Sequence, residues 1–337
     1  MRSKHLLKPV LCLCALLAVA LVIPVMSGCS SDGSGEKVYK IGISQIVTHP
    51  ALDAARQGVI DGMTESGYIE GEDVEYDYQT SEGDMSLVAT IAQKFVSDKV
   101  DAIVSIATPD SQASVSAAKG SEIPVVFSAI TDPVGAGLVV DWESHPDENV
   151  TGVSDMISVA DDVDLIEAIV PGVKKIGTLY NAGESNSVFL AQKLIEACDA
   201  KGITVVEETV STSADVLSAA QALVGKVDAI WVGTDNTVVS GLEALIKVCE
   251  DNQIPLFPSD DPSIERGGIA AWGFDYYDIG IQTGKMLARV LKAGDASKIE
   301  VEKGEIIFLS INTAAAERMG VTIPQALISE AEVTYDN

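Results

Sequence analysis

The stretch Val227-Asp-Ala-Ile-Trp-Val-Gly-Thr-Asp-Asn236 has a counterpart earlier in the chain, Val100-Asp-Ala-Ile-Val-Ser-Ile-Ala-Thr-Pro-Asp110. Each runs Val-Asp-Ala-Ile, continues with a short, mostly apolar stretch, and ends in a Thr-Asp or Thr-Pro-Asp cluster that opens a helical pattern. An echo in fixed order marks a duplicated unit. It extends outward in both directions. Lys40-Ile-Gly-Ile and Lys175-Ile-Gly-Thr begin the two copies, with Gly67 and Gly202 at the same distance beyond them. Ile123-Pro-Val-Val-Phe-Ser-Ala-Ile-Thr-Asp-Pro133 answers Ile254-Pro-Leu-Phe-Pro-Ser-Asp-Asp-Pro262. The spacing of about 130 residues is a domain length, so two similar lobes are expected.

Within each copy, short β-rich runs alternate with helical patterns. Val38–Gln45, Val74–Tyr78, Val100–Ile106 and Val125–Ser128 read as strands, with helices over Ala51–Ser66, Met85–Ser97 and Ser111–Ala118 between them. The second copy repeats the order from Lys175 to Phe257. Strands alternating with helices of this length form parallel βαβ units. The fold class is therefore α/β, with two similar Rossmann-like lobes of parallel sheet joined by a hinge. Lobe 1 is expected over 38–155 and lobe 2 over 156–273. The helix and strand in the tail, 274–337, have no partner in the duplication and are expected to complete lobe 1 in part.

Residues 1–28 form an export leader: Arg2, Lys4 and Lys8 precede an apolar run that ends in small residues before Cys29. Val25-Met-Ser-Gly-Cys-Ser30 resembles the lipobox of bacterial lipoproteins, which implies cleavage before Cys29, a lipid on its sulfur and an extracytoplasmic, membrane-tethered domain. Residues 29–37 are a Gly/Ser-rich spacer. The full chain carries a net charge of −28, and losing a basic leader makes it more negative. Such a surface repels phosphate polymers, so no nucleic-acid partner is expected. Cys198 and Cys249 read as buried free thiols on helices, without metal-ligand spacing. No metal or cofactor is expected.

In a parallel α/β sheet, ligands bind beyond the carboxyl ends of the strands. The residues at those ends are small and polar: Gln45, Thr48, His49, Ser81, Thr108, Ser128, Thr131 and Asp132 in the first lobe. The second offers Asn181, Glu184, Asn186, Ser187, Thr234, Asp235, Asn236, Ser259 and Asp260. Helix N-termini at Thr108, Ser185 and Asp235 would present free N–H groups to a carboxylate, and Glu184, Asp235 or Asp260 could receive an ammonium group. Tyr180, Phe274 and Tyr276, at strand ends, are candidates for an aromatic wall; Trp231 and Phe257 lie inside strands and suit the core. Each Ser, Thr, Asp or Asn taken singly also suits an ordinary helix cap. The repetition in both lobes points to a cleft.

Several stretches together resemble the extracytoplasmic solute-binding proteins of ABC importers, of type I periplasmic-binding fold. Within these the chain is similar to the tryptophan- and tyrosine-type aromatic amino acid receptors. The residues are Thr48-His-Pro-Ala-Leu-Asp53, Ser105-Ile-Ala-Thr-Pro109, Ile130-Thr-Asp-Pro-Val-Gly135, Asn149-Val-Thr-Gly-Val-Ser-Asp155, Thr234-Asp-Asn-Thr237 and Gln282-Thr-Gly-Lys-Met286, with Gln45 and Asn186-Ser187. The resemblance implies a monomeric receptor that closes on a small solute and hands it to a permease driven by a cytoplasmic ATPase. A sensing module for a membrane receptor kinase would share the fold. An enzyme is not expected: neither His49 nor His145 sits in a nucleophile or metal-ligand motif, and no phosphate-binding glycine loop occurs.

Overall fold

The computed structural model describes residues 37–142 and 149–337; Cys29, the leader and His145 lie outside them. Val38–Asn337 forms one compact unit. The elements run, in order, β1 (Tyr39–Gln45), α1 (Pro50–Glu65), β2 (Val74–Thr80), α2 (Met85–Asp98), β3 (Ala102–Ile106), α3 (Thr108–Ala118), β4 (Val125–Ser128), β5 (Val150–Ser154) and α4 (Val159–Ile169). Then come β6 (Lys175–Asn181), α5 (Ser185–Lys201), β7 (Thr204–Val210), α6 (Val216–Leu223), β8 (Ala229–Val232), α7 (Asn236–Ser240), α8 (Leu242–Asn252), β9 (Leu256–Pro258), α9 (Asp261–Arg266) and β10 (Ala270–Phe274). The tail holds α10 (Tyr276–Ala293), β11 (Glu302–Lys303), β12 (Ile307–Asn312), α11 (Thr313–Arg318), α12 (Gln325–Glu330) and β13 (Val333–Tyr335).

The first lobe is a parallel sheet in the order β11-β5-β4-β3-β1-β2. The second holds a parallel sheet, β7-β6-β8-β9, and a small sheet, β10-β12-β13. Helices cover both faces of such sheets, so the central strands are buried on both sides and read as continuous apolar runs. Every residue of β3, β4, β8 and β9 is buried, Trp231 and Phe257 among them. Trp231 donates its indole N–H to Asp162 at 3.0 Å, which keeps a polar atom of the core satisfied. Cys198 and Cys249 are free and buried, and burial raises both thiols.

The tail divides between the lobes. α10 lies on the first: Thr283 pairs with Ser128 of β4 at 2.9 Å, and Thr151 of β5 donates to the sulfur of Met286 at 3.7 Å. Its tightest neighbour is α1, and glycine makes that approach possible. A Cβ on Gly280 would stand 2.1 Å from the Ala55 carbonyl oxygen, and one on Gly58 would stand 2.1 Å from that of Tyr277. β11 closes the edge of the first sheet, whereas β12 and β13 return to β10. Among the described residues the chain therefore passes between the lobes three times: between β5 and α4, between β10 and α10, and between β11 and β12. These strands form the hinge.

Candidate functional site

All eight strand ends that matter point to one region. In the first lobe β1 leads to His49, which caps α1; β3 leads through Ala107 to Thr108, the first residue of α3; β4 leads through Ala129 to Thr131; and β5 ends beside Asp155. In the second, β6 leads to Asn186 in the first turn of α5, β8 to Thr234 and Asp235, β9 to Asp260, and β10 to Tyr276. Residues from both lobes line one narrow space, whose cavity volume in this arrangement is about 20 Å³. The first lobe contributes His49, Ala51, Leu52, Thr108, Thr131 and Asp155; the second contributes Asn186, Thr234, Asp235, Asn236, Val239 and Asp260; Tyr276 closes the hinge side.

The lobes touch across this space. Thr131 Oγ1 lies 3.3 Å from Thr234 Oγ1, and Gln112 donates to Ser185 Oγ at 3.3 Å at the rim. The molecule is thus in a closed arrangement.

Carboxyl groups dominate the hinge side. Tyr276 donates its hydroxyl to Asp155 Oδ2 at 2.7 Å, leaving Asp155 Oδ1 buried without a partner. Asp260 caps α9 by accepting from Ser263 N at 2.9 Å, and its Oδ2 likewise has none. Burial raises Asp155 to about 6 and pushes Asp260 up as well. Asp235 is raised to about 7 by burial and by the nearby Glu184. Opposite these groups α3 begins without a side-chain cap, and its first residue, Thr108, lines the space. The entry to that helix is strained. Ala107 has φ 76° and ψ 160°, a region that residues other than glycine rarely occupy, and Ala129 has φ 57°.

The remaining sequence candidates support these walls from behind. Gln45 donates to Val47 O and Asp53, Ser81 to Ile46 O, and Thr48 to Glu82, all fixing the loop before α1. Ser128 is occupied by Thr283, and Asp132 accepts from Gly135 N in its own turn. Asn181 donates its side-chain amide to Thr237 and its backbone N–H to Asp235, while Ser187 lies buried against Asp235. Ser259 donates to Asp162.

Three expectations are corrected by this geometry. Glu184 is not open to an ammonium group, because Asn236 and Thr237 each give it a backbone N–H and a side-chain donor. Tyr180 reaches out to Glu207 at 3.1 Å beside β7, and the Phe274 ring packs toward Gly304 and Ile279, so neither walls the space. Tyr276 does. Asp155, Ala107 and Ala129 were not among the sequence candidates. Asp155 follows a strand as directly as the others do, which is the signal that could have found it; the two alanines gave none, since a strained φ leaves no mark when the residue is not glycine.

Residues 40–334 match the family model described as ABC transporter substrate binding protein. The chain belongs to that family. It is 38% identical over 306 residues to the tyrosine-binding protein of Clostridioides difficile, covering 87% of this chain and 88% of that one. A Streptococcus pneumoniae ABC domain solved in complex with L-Trp is 38% identical, with a TM-score of 0.84, 88% of this chain and 100% of that one being covered. A Clostridium difficile substrate-binding protein with adhesive properties, solved ligand-free and open, is 35% identical with a TM-score of only 0.66, over 89% and 100% of the two chains. At nearly equal identity, the arrangement of lobes follows the liganded relative. The family places the protein outside the cytoplasm, binding a small solute for an ABC transporter, and the fold is that of the type I periplasmic-binding proteins. No described helix is long and apolar enough to cross a membrane.

Proposed function

We propose that this receptor captures a zwitterionic aromatic amino acid between its lobes and delivers it to the permease. The observation that carries the reading is the pair of buried, unpartnered oxygens, Asp155 Oδ1 and Asp260 Oδ2, beside a space that no lysine or arginine lines. A buried acceptor without a donor is costly, and an incoming ammonium group would satisfy both. The solute carboxylate would sit against the uncapped N-terminus of α3 and the hydroxyls of Thr108, Thr131 and Thr234. Leu52, Val239, Tyr276 and a neutral His49 offer apolar and ring surface to the side chain. Relatives named for tyrosine and solved with L-Trp support an aromatic solute.

A lipid on Cys29 would hold this monomer at the outer face of the membrane, near its transporter. One acyl chain binds only marginally, so further acylation would be needed for a stable anchor.

Isothermal calorimetry of residues 37–337 against L-tyrosine, L-tryptophan, L-phenylalanine, L-leucine and glucose tests the assignment. One site per chain for an aromatic amino acid, with the sugar silent, is the expected result. Sugar binding without amino acid binding would defeat it.

A further inference from the structure

We propose that Asn186 sets the choice among aromatic amino acids: its amide oxygen accepts a hydrogen bond from the polar tip of the solute ring, the phenol O–H of tyrosine or the indole N–H of tryptophan. The proposal rests on the amino acid reading above and assigns the end of the site that the solute side chain reaches. The partners of the amide fix its orientation. Asn186 Nδ2 lies 3.0 Å from the carbonyl oxygen of Thr234, which only accepts, so this atom is the nitrogen. The same nitrogen reaches Ser187 Oγ at 3.4 Å. Oδ1 is left buried and without a partner, on a side chain that is 5% exposed and lines the space between the lobes.

Strand order decides which part of the solute meets that oxygen. The second-lobe sheet runs β6-β8-β9, with Asn186 beyond β6, Thr234 beyond β8 and Asp260 beyond β9. Two strand spacings, about 10 Å, therefore separate the strand that leads to Asn186 from the one that leads to Asp260. The first lobe keeps the same sense, β5-β4-β3, with Asp155 beyond β5. Contacts between the lobes align the two edges: Thr131, after β4, meets Thr234, and Gln112 of α3, after β3, meets Ser185 beside Asn186. An ammonium group held by Asp155 and Asp260 thus lies at one end of the cleft and Asn186 at the other. The solute carboxylate cannot use Oδ1, because both groups only accept. What remains is a donor on the side chain. A phenylalanine ring would leave the buried oxygen unpaired, and a site built around such an acceptor discriminates against the solute that lacks the donor.

The test is calorimetry on residues 37–337 with L-tyrosine and 4-fluoro-L-phenylalanine, which keeps the size of the ring and lacks the donor. The wild-type protein should hold L-tyrosine roughly 10- to 100-fold more tightly, the usual penalty for a buried acceptor left unpaired. In Asn186→Leu the preference should shrink to about threefold or less, chiefly because L-tyrosine is lost. Each protein is judged by the ratio of its two affinities, so general damage to the site cancels, and Asn186→Ala serves in the same way if the leucine variant does not fold. A wild-type protein that does not distinguish the two solutes would overturn the proposal. So would a variant that keeps the preference while both affinities fall together, since Asn186 would then hold a part common to both. Those outcomes leave the amino acid assignment standing. If neither solute binds the wild-type protein, that assignment fails and the role of Asn186 falls with it.

Discussion

Asp155 and Asp260 each spend one oxygen on a protein donor and keep the other buried and free, whereas Asp235 spends both, on Val238 N at 2.7 Å and Asn181 N at 2.6 Å. That difference separates binding from capping. Asp155→Asn should weaken an amino acid by about 100-fold, because truncating one partner of a buried charge pair costs about 2–5 kcal/mol, while the melting temperature of the solute-free protein holds or rises. Asp235→Ala should instead cost about 1–2 kcal/mol of stability in urea denaturation through the lost cap.

The same carboxyl groups set a pH dependence. Asp155 lies at about 6, and Asp110, Asp162 and Asp235 at about 7, all raised above the unfolded value chiefly by burial. A raised carboxyl stabilises the fold fully below its unfolded value, about 4, and that stabilisation is lost as pH climbs through its folded value. His49, depressed to about 4, acts oppositely below 6.5 but is one group against four. Calorimetric melting of the solute-free protein should therefore give a higher temperature at pH 5.5 than at pH 7.5. Capture should run the other way: protonating Asp155 removes the ammonium's partner, so affinity weakens as pH falls below about 6.

At the level of elements, the seam between α1 and α10 and the entry to α3 are under opposite constraints. Gly280→Ala would drive a methyl group into the Ala55 carbonyl, and overpacking of this kind costs about 1–3 kcal/mol. Ala107→Gly should stabilise the fold by about 1 kcal/mol, because it relieves a backbone conformation that costs about that much or more. Urea midpoints check both.

Legibility in the sequence follows the same division. Strands such as β4, β6 and β8 could be bounded from their apolar runs, because burial on both faces writes itself into consecutive residues. α3 and α5 start one turn before their apolar periodicity does, at Thr108 and Ser185, since the first turn faces the cleft and is polar. Short elements such as β11, α9 and β13 carry too few residues to show a period. Within the site, repetition at strand ends located the cleft, but the difference between a free carboxyl oxygen and a capping one is a matter of which N–H lies nearby. Sequence position does not carry that information, which is why Glu184 and Asp260 looked alike.

For the molecule as a whole, three hinge strands allow two lobes to move while their cores stay intact, and contacts that bridge the lobes lie at the cleft: Thr131 with Thr234 and Gln112 with Ser185. A solute shifts such an equilibrium only by binding the closed state better than the open one. The buried carboxyl oxygens supply that difference, because in an open cleft water would satisfy them.

The most direct measurement compares L-tyrosine with N-acetyl-L-tyrosine by calorimetry on residues 37–337. Removing the ammonium charge while keeping the ring and carboxylate should abolish binding, with L-tyrosine itself bound one to one. Equal affinity for the two would contradict recognition by Asp155 and Asp260, and with it the account of how this cleft closes on its solute.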